Sequence, residues 1–265
     1  MKFSKGLVLG GALTKLVLAA VALSTLAACG GGDTEDRLDV ADPKVRFVDV
    51  ARLSANVTLY RNDVGQSDAN NVGYKYGSYY FDVSPGDATW SIRPAANTAT
   101  QLAAVSFDAD RGDRDTIVAV ASDSGLDAVL IRDPYNKSLT TDKARVRVFN
   151  GAVNAQAIDV YITQPGADIS NSVPDFASVK FKQSAPLSGD DSIEYPGGGY
   201  QLRVTTAGTK TVLFTALVNV SDNADWLLVP IPTADSGAPV AGDIKLLLVQ
   251  GNDKATVTTE ITSSP

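Results

Sequence analysis

The chain repeats itself, and the repeat limits the fold more than any other feature. Val45-Arg46-Phe47-Val48 through Val57-Thr58-Leu59-Tyr60 lies without a gap on Val146-Arg147-Val148-Phe149 through Ile158-Asp159-Val160-Tyr161. Further on, "PGDATWSIR" (85–93) matches "PGGGYQLR" (196–203) with one residue less. "DTIVAVAS" (115–122) sits beside "DWLLVPIP" (225–232), and "LDAVLIRD" (126–133) beside "DIKLLLVQ" (243–250). Four matched segments in one order imply a duplicated domain, joined through "PYNKSLTTDK" (134–143).

Within each copy the pattern has period two. Arg145 and Arg147 alternate with Val146 and Val148, and Asp159 and Tyr161 with Ile158 and Val160. Alternation of β-branched and polar residues predicts strands with one wet face. Pro-Gly ahead of Trp90 and of Tyr200 predicts tight turns entering strands. No helical periodicity follows residue 28. The expected fold is therefore all-β: two tandem antiparallel β-sandwich domains, immunoglobulin-like, over 44–133 and 144–252.

The N-terminus reads as an export signal. Lys2, Lys5 and Lys15 are the only charges before Cys29, and Leu16 to Leu23 is an unbroken apolar run. That run is far shorter than the ~20 residues that span a bilayer. A basic start, a short apolar segment and a small-residue end make residues 1–28 a secretory signal peptide. Leu26-Ala27-Ala28-Cys29 has the form of a bacterial lipobox, with the Cys29 thiol as acceptor for diacylglycerol. Cys29 is the single cysteine, so no disulfide forms within one chain. More than one acyl chain gives stable anchoring. Gly30, where an Asp would retain the protein at the inner membrane, favours the outer membrane. Residues 29–43 are glycine-rich, then acidic, and read as a flexible tether of roughly 20 Å reach. The expected partners are the lipid bilayer, through the acyl chains, and an unidentified envelope protein or glycan.

The sequence contains no histidine. That removes Ser-His-Asp and Cys-His catalysis and histidine-ligated metals. With Cys29 acylated, thiolate chemistry goes too. No P-loop, Gly-x-Ser-x-Gly or Gly-x-Gly-x-x-Gly occurs. No cofactor, metal or catalytic residue is expected. The formal net charge is −7, which argues against nucleic acid, since phosphate contacts need clustered Lys and Arg.

"RVFNGAVNAQAIDVYI" (147–162), followed by "PGGGYQLRVTTAGT" (196–209), resembles the bacterial family known as domain of unknown function 4397. Arg147, Val148, Ala155, Ile158, Asp159, Val160 and Tyr161 fit its opening motif. Asn150 stands where that motif has a histidine, and Val153 where it has a proline. In the first copy Arg46, Leu59 and Tyr60 fit, and Asp49 replaces the histidine. The resemblance implies an exported, often lipidated protein with the domain in tandem, and implies no activity.

Two surface stretches are candidate sites. "YKYGSYYF" (74–81) holds four of the nine tyrosines. Laid on the repeat, Tyr74 and Tyr76 fall on Val179 and Phe181 and so are expected to face the core. Tyr79 and Tyr80 lack counterparts and are the candidate ligand contacts, since flat aromatic faces suit sugars or protein surfaces. "DADRGDRD" (108–115) offers acids for an ion and the tripeptide Arg111-Gly112-Asp113. Its spacing excludes an EF-hand, and its own arginines predict a solvated, charge-balanced loop. The expected function is a non-catalytic binding or structural module of the envelope. A carboxylate-dependent hydrolase and a surface adhesin are the alternatives.

Overall fold

A computed structural model of the chain describes residues 41–52, 54–123, 125–251 and 257–264. Cys29, the signal segment and the tether up to residue 40 lie outside the described residues. The first copy contains β1 (Lys44–Val50), β2 (Val57–Arg61), β3 (Val64–Gly65), β4 (Tyr76–Gly77), β5 (Phe81–Asp82), β6 (Gly86–Pro94), β7 (Ala103–Ala109), β8 (Arg114–Ser122) and β9 (Gly125–Ile131). The second contains β10 (Ala144–Phe149), β11 (Ala157–Thr163), β12 (Phe176–Lys180), β13 (Ser184–Ala185), β14 (Ile193–Tyr195), β15 (Gly198–Thr206), β16 (Val212–Val220), β17 (Asp225–Pro232), β18 (Ile244–Gln250) and β19 (Thr258–Ile261). The fold is all-β, and among the described residues no helix is long and apolar enough to cross a membrane.

Each copy is a sandwich of two sheets. In the first, the order β4-β1-β8-β9, with β5 also on β1, faces β3-β2-β6-β7. In the second, β13-β10-β17-β18-β19, with β14 also on β10, faces β12-β11-β15-β16. Most neighbours run antiparallel, but β1 pairs parallel with β8 and β10 parallel with β17, so one sheet of each sandwich is mixed. Trp90, Phe47, Leu59, Ile92 and Ile117 fill the first core. Phe176, Phe214, Ile158, Leu202 and Trp226 fill the second.

The two sandwiches stack through their mixed sheets. Val48, Val118, Val120 and Ile131 meet Phe149, Leu227, Val229, Leu247 and Val249 in a third apolar layer between the copies. The β1 and β10 sheets are thus covered on both faces. This corrects the expectation of a wet face: Arg46, Arg145 and Arg147 are buried at 2–3% exposure in the seam between the copies. Alternation here separates two interiors, one apolar and one mixed. Asp159 and Tyr161 are buried as well. Asp159 accepts from the Ser178 and Gly208 amides, and Lys210 Nζ reaches the Tyr161 hydroxyl at 2.8 Å.

The join is packed rather than slack. Tyr135 and Lys137 are buried. Asp133 bonds Arg145 at 2.7 Å and accepts from the Ser192 hydroxyl and the Tyr135 amide, with Arg147 at 3.3 Å. Burial works to raise the Asp133 pKa, but the two guanidiniums and these hydrogen bonds outweigh it and hold the carboxyl below its ordinary value.

Candidate functional site

The four central strands of the stack, β1, β8, β10 and β17, all end at one side of the molecule. Residues at equivalent places in the two copies meet there. Val50 and Gly151, Arg52 and Val153, and Ala121 and Pro232 line a cleft of about 600 Å³ between the copies. Two smaller hollows, of about 460 and about 350 Å³, adjoin it and share Gln156 with it. Sizes of this order suit a small ligand or a peptide segment.

Local chemistry makes the cleft. In the first copy, parallel pairing of β1 with β8 continues to Val50 and Val120. In the second it stops at Val148 and Leu228. Pro230 and Pro232 follow in β17, and proline has no N–H to donate to a continuing ladder. The chain instead turns away at Asn150, whose side-chain oxygen accepts from the Ala152 amide at 3.0 Å, while the Gly151 amide closes on the Pro230 carbonyl at 3.1 Å. A Cβ on Gly151 would stand 3.2 Å from Val50 Cγ2 and 3.1 Å from Val229 Cγ1. The glycine is what lets the two copies approach here.

Loop 233–243 forms the far wall and is pinned from both sides. Asn154 Nδ2 donates to the carbonyls of Val240 and Asp243 at 2.5 and 2.9 Å. Arg52, from the other copy, donates to the carbonyls of Gly237 at 2.8 Å and Ala234 at 3.4 Å. Beside it Lys75 bonds Asp235 and Glu260, both at 2.7 Å, and Lys245 bonds Asp235 at 2.8 Å and Glu260 at 2.7 Å. On the opposite flank Lys182 bonds Asp127 at 2.6 Å. Val153, in the lining, is exposed, and exposed Val240 stands in the chain between the lining residues Pro239 and Ala241.

The candidate tyrosines lie elsewhere and diverge. Tyr79 packs its ring against the first core and donates its hydroxyl to Asp68 at 2.8 Å. Tyr80 turns into the seam at the end away from the cleft. Arg46 lies over its ring at 4.5 Å and Arg114 at 5.4 Å. Burial pushes its hydroxyl up to about 12. The two share no face. Tyr74 packs on the layer between the copies and Tyr76 on the first core. In 108–115, Arg111 bonds Asp42 at 2.6 Å and Arg132 bonds Asp110 at 3.1 Å. Among the described residues no group of three or more acids, histidines or cysteines is arranged to hold a metal ion.

Arg52, Asn154 and Gln156 carry no motif, and the sequence reading did not single them out. One signal was available: in the ungapped repeat Val50 falls on Gly151 and Arg52 on Val153, so the copies differ where they meet.

Comparison with known proteins adds a family and a distant pair of structures. No curated protein matches the chain. One solved structure, of family 41 carbohydrate-binding modules from streptococcal virulence factors that recognise alpha-glucan, is 12% identical. It covers 73% of this chain and 95% of its own, at a TM-score of 0.23. A second, of a streptococcal virulence factor that binds alpha-glucan, is 11% identical, covers 76% and 97%, and also has a TM-score of 0.23. A family model matches residues 43–161, which take in the whole first copy, the join and the opening of the second as far as β11. Over that stretch the chain resembles the family described as Domain of unknown function (DUF4397).

Proposed function

We infer that the chain is a non-catalytic binding module, held at the bacterial envelope by acyl chains on Cys29, most simply at the outer membrane. Its cleft is offered to a protein or glycan of the envelope. The observation that carries this reading is the polarity of β1. Ala41 and Asp42, where the tether ends, sit on the 110–113 turn, with the Gly112 amide on the Ala41 carbonyl at 3.1 Å. The cleft opens beyond Val50, at the other end of a seven-residue strand, roughly 20 Å away. An anchor at one end and a hollow at the other suit a module that meets its partner away from the lipid.

The alternatives draw less support. The two carboxyls that burial raises to about 7, Asp49 and Asp115, are fully buried and line no part of the cleft. A hydrolase needs its acids at a substrate. Arg111 is engaged by Asp42, and Asp113 is largely covered, which leaves little of the tripeptide for an adhesin.

The test uses the anchored protein in cells. A photo-reactive residue replacing exposed Ala241 should give adducts with an envelope component, and Val153→Trp, which fills the cleft, should remove them. The same group replacing exposed Leu217, on the outer sheet, should give none. Cys29→Ala should release the protein from membranes. Adducts absent at 241, or equal at 217, would end this reading.

A further inference from the structure

The geometry points to a specific ligand for the cleft: the C-terminal end of an apolar peptide, with its carboxylate on Arg52. This rests on the cleft being the binding site and adds what it takes. Three pairs of equivalent residues, Val50 and Gly151, Arg52 and Val153, and Ala121 and Pro232, line its walls, and the second copy adds Asn154, Gln156, Pro239 and Ala241. Each pair differs, and Arg52 against Val153 is the one that differs in charge. A ligand that uses this difference is anionic toward Arg52 and apolar toward Val153.

Arg52 is equipped for the anionic end. It is half-buried, and among the described residues it bonds only to the carbonyls of Ala234 and Gly237. Among the described residues it has no carboxylate within 4 Å, and a guanidinium carries five N–H donors. Asp235, in the loop that Arg52 bonds, does not compete for it, because Lys75 and Lys245 already hold that carboxylate at 2.7 and 2.8 Å. A planar guanidinium with open donors matches a carboxylate in bidentate geometry. Around Val153, 39% exposed, the lining is apolar at Pro232, Pro239 and Ala241, with Asn154 and Gln156 as its polar members. Gln156 favours a peptide over a simple acid. Its Nε2 donates to the Val153 carbonyl, and its side-chain oxygen has no donor among the described residues and can accept a backbone N–H.

The experiment measures binding of fluorescent hexapeptides with apolar final residues to the detergent-solubilised full chain. Each peptide is made as the free acid and as the C-terminal amide, and octanoate is the non-peptide probe. The free acids should bind, with amidation weakening them about tenfold, the scale of one charge-assisted pair. Arg52→Gln should weaken the free acids by a similar factor and erase the acid–amide difference, while Arg52→Lys retains part of it. An unchanged melting temperature in Arg52→Gln separates lost contact from lost fold. Acids and amides binding alike, Arg52→Gln still preferring acids, or no peptide binding at all would each overturn the inference. So would octanoate binding through Arg52 while the peptides do not. Should adducts at residue 241 persist when no peptide binds, the cleft remains a binding site and only the peptide assignment falls.

Discussion

Arg114 and Asp225 occupy the same place in the two copies and are each other's partner. Arg114 pairs with Lys44 at the start of β8, and Asp225 with Arg145 at the start of β17, where Lys44 and Arg145 are themselves equivalent. The two side chains meet at 3.1 Å, 7% and 9% exposed, with the guanidinium 3.6 Å over the Tyr135 ring. The apolar layer above them is built from equivalent residues of both copies, so its shape is close to self-complementary. A copy pairing with itself would set Arg114 on Arg114, or Asp225 on Asp225. The ion pair is therefore expected to select the unlike partner, a use of repulsion for specificity.

Removing one member of this pair strips a buried charge of its partner at 3.1 Å. Arg114→Ala or Asp225→Ala should each lose about 3–5 kcal/mol, whereas Arg114→Met with Asp225→Leu should lose far less. Urea midpoints of the three variants decide this. If the singles match the double, the pair contributes nothing.

The same logic applies to the separated copies, 44–133 and 144–264. Mixed, they should form a one-to-one complex through Val48, Val118 and Val120 against Phe149, Leu227 and Val229. Alone, each should associate much more weakly. Sedimentation of each fragment and of the mixture reads this out. Self-association as strong as cross-association would show that Arg114 and Asp225 do not select.

Strand content, the duplication and the apolar face of each strand were legible in the sequence, because period two and turn residues are local. Burial of Arg46, Arg145 and Arg147 was not, since the second surface that covers them belongs to the other copy. Register failed similarly. Laying "DTIVAVAS" on "DWLLVPIP" aligns Asp115 with Asp225, but strand pairing puts Arg114 in that place. A slip of one residue turns every side chain to the opposite face, and one shared aspartate was enough to cause it. Pairing also matches Tyr74 with Phe181, two residues on from the sequence reading. The lysines that follow, Lys75 and Lys182, have φ of 71° and 67°, and each lies 5.3 Å from the ring before it. The cleft was illegible because its walls come from strand ends and loops far apart in the chain.

Gly151 holds the copies close at the cleft. Gly151→Ala places a methyl against Val50, Val229 and the Pro230 carbonyl. Overpacking of this kind costs about 1–3 kcal/mol. Adding Val50→Ala should recover part of that loss, because Val50 is one of the crowding groups. Thermal melts of the single and double variants test the coupling. If the double variant shows the plain sum of two losses, the contact across the seam is not what limits residue 151.

Asp49 and Asn150 stand at equivalent places and show what pH should do. Each accepts the amide two residues on, Asp49 from Ala51 at 2.9 Å and Asn150 from Ala152 at 3.0 Å. Asn150 then donates its Nδ2 to the Ala155 and Val179 carbonyls at 2.9 and 3.1 Å. Asp49 has no partner for its second oxygen among the described residues. Burial pushes its pKa up to about 7, against the smaller opposing effect of the Ala51 amide. Asp115, fully buried with Arg132 Nε at 3.7 Å, is likewise raised to about 7 by burial. A carboxyl whose folded pKa exceeds its unfolded value near 3.8 binds more protons in the folded state between the two values. Its stabilising effect is complete below pH 4 and is lost as pH rises through 7. The chain should therefore lose stability from pH 4 to pH 8, on the order of 2–4 kcal/mol for each group. Asp49→Asn installs the amide that the second copy already uses and should remove its share of that slope, raising stability most at pH 8. Asp49→Asn with Asp115→Asn should flatten the profile. Urea midpoints at pH 5 and pH 8 give the answer, and an unchanged slope in the double variant would mean that neither carboxyl is held protonated in the folded chain.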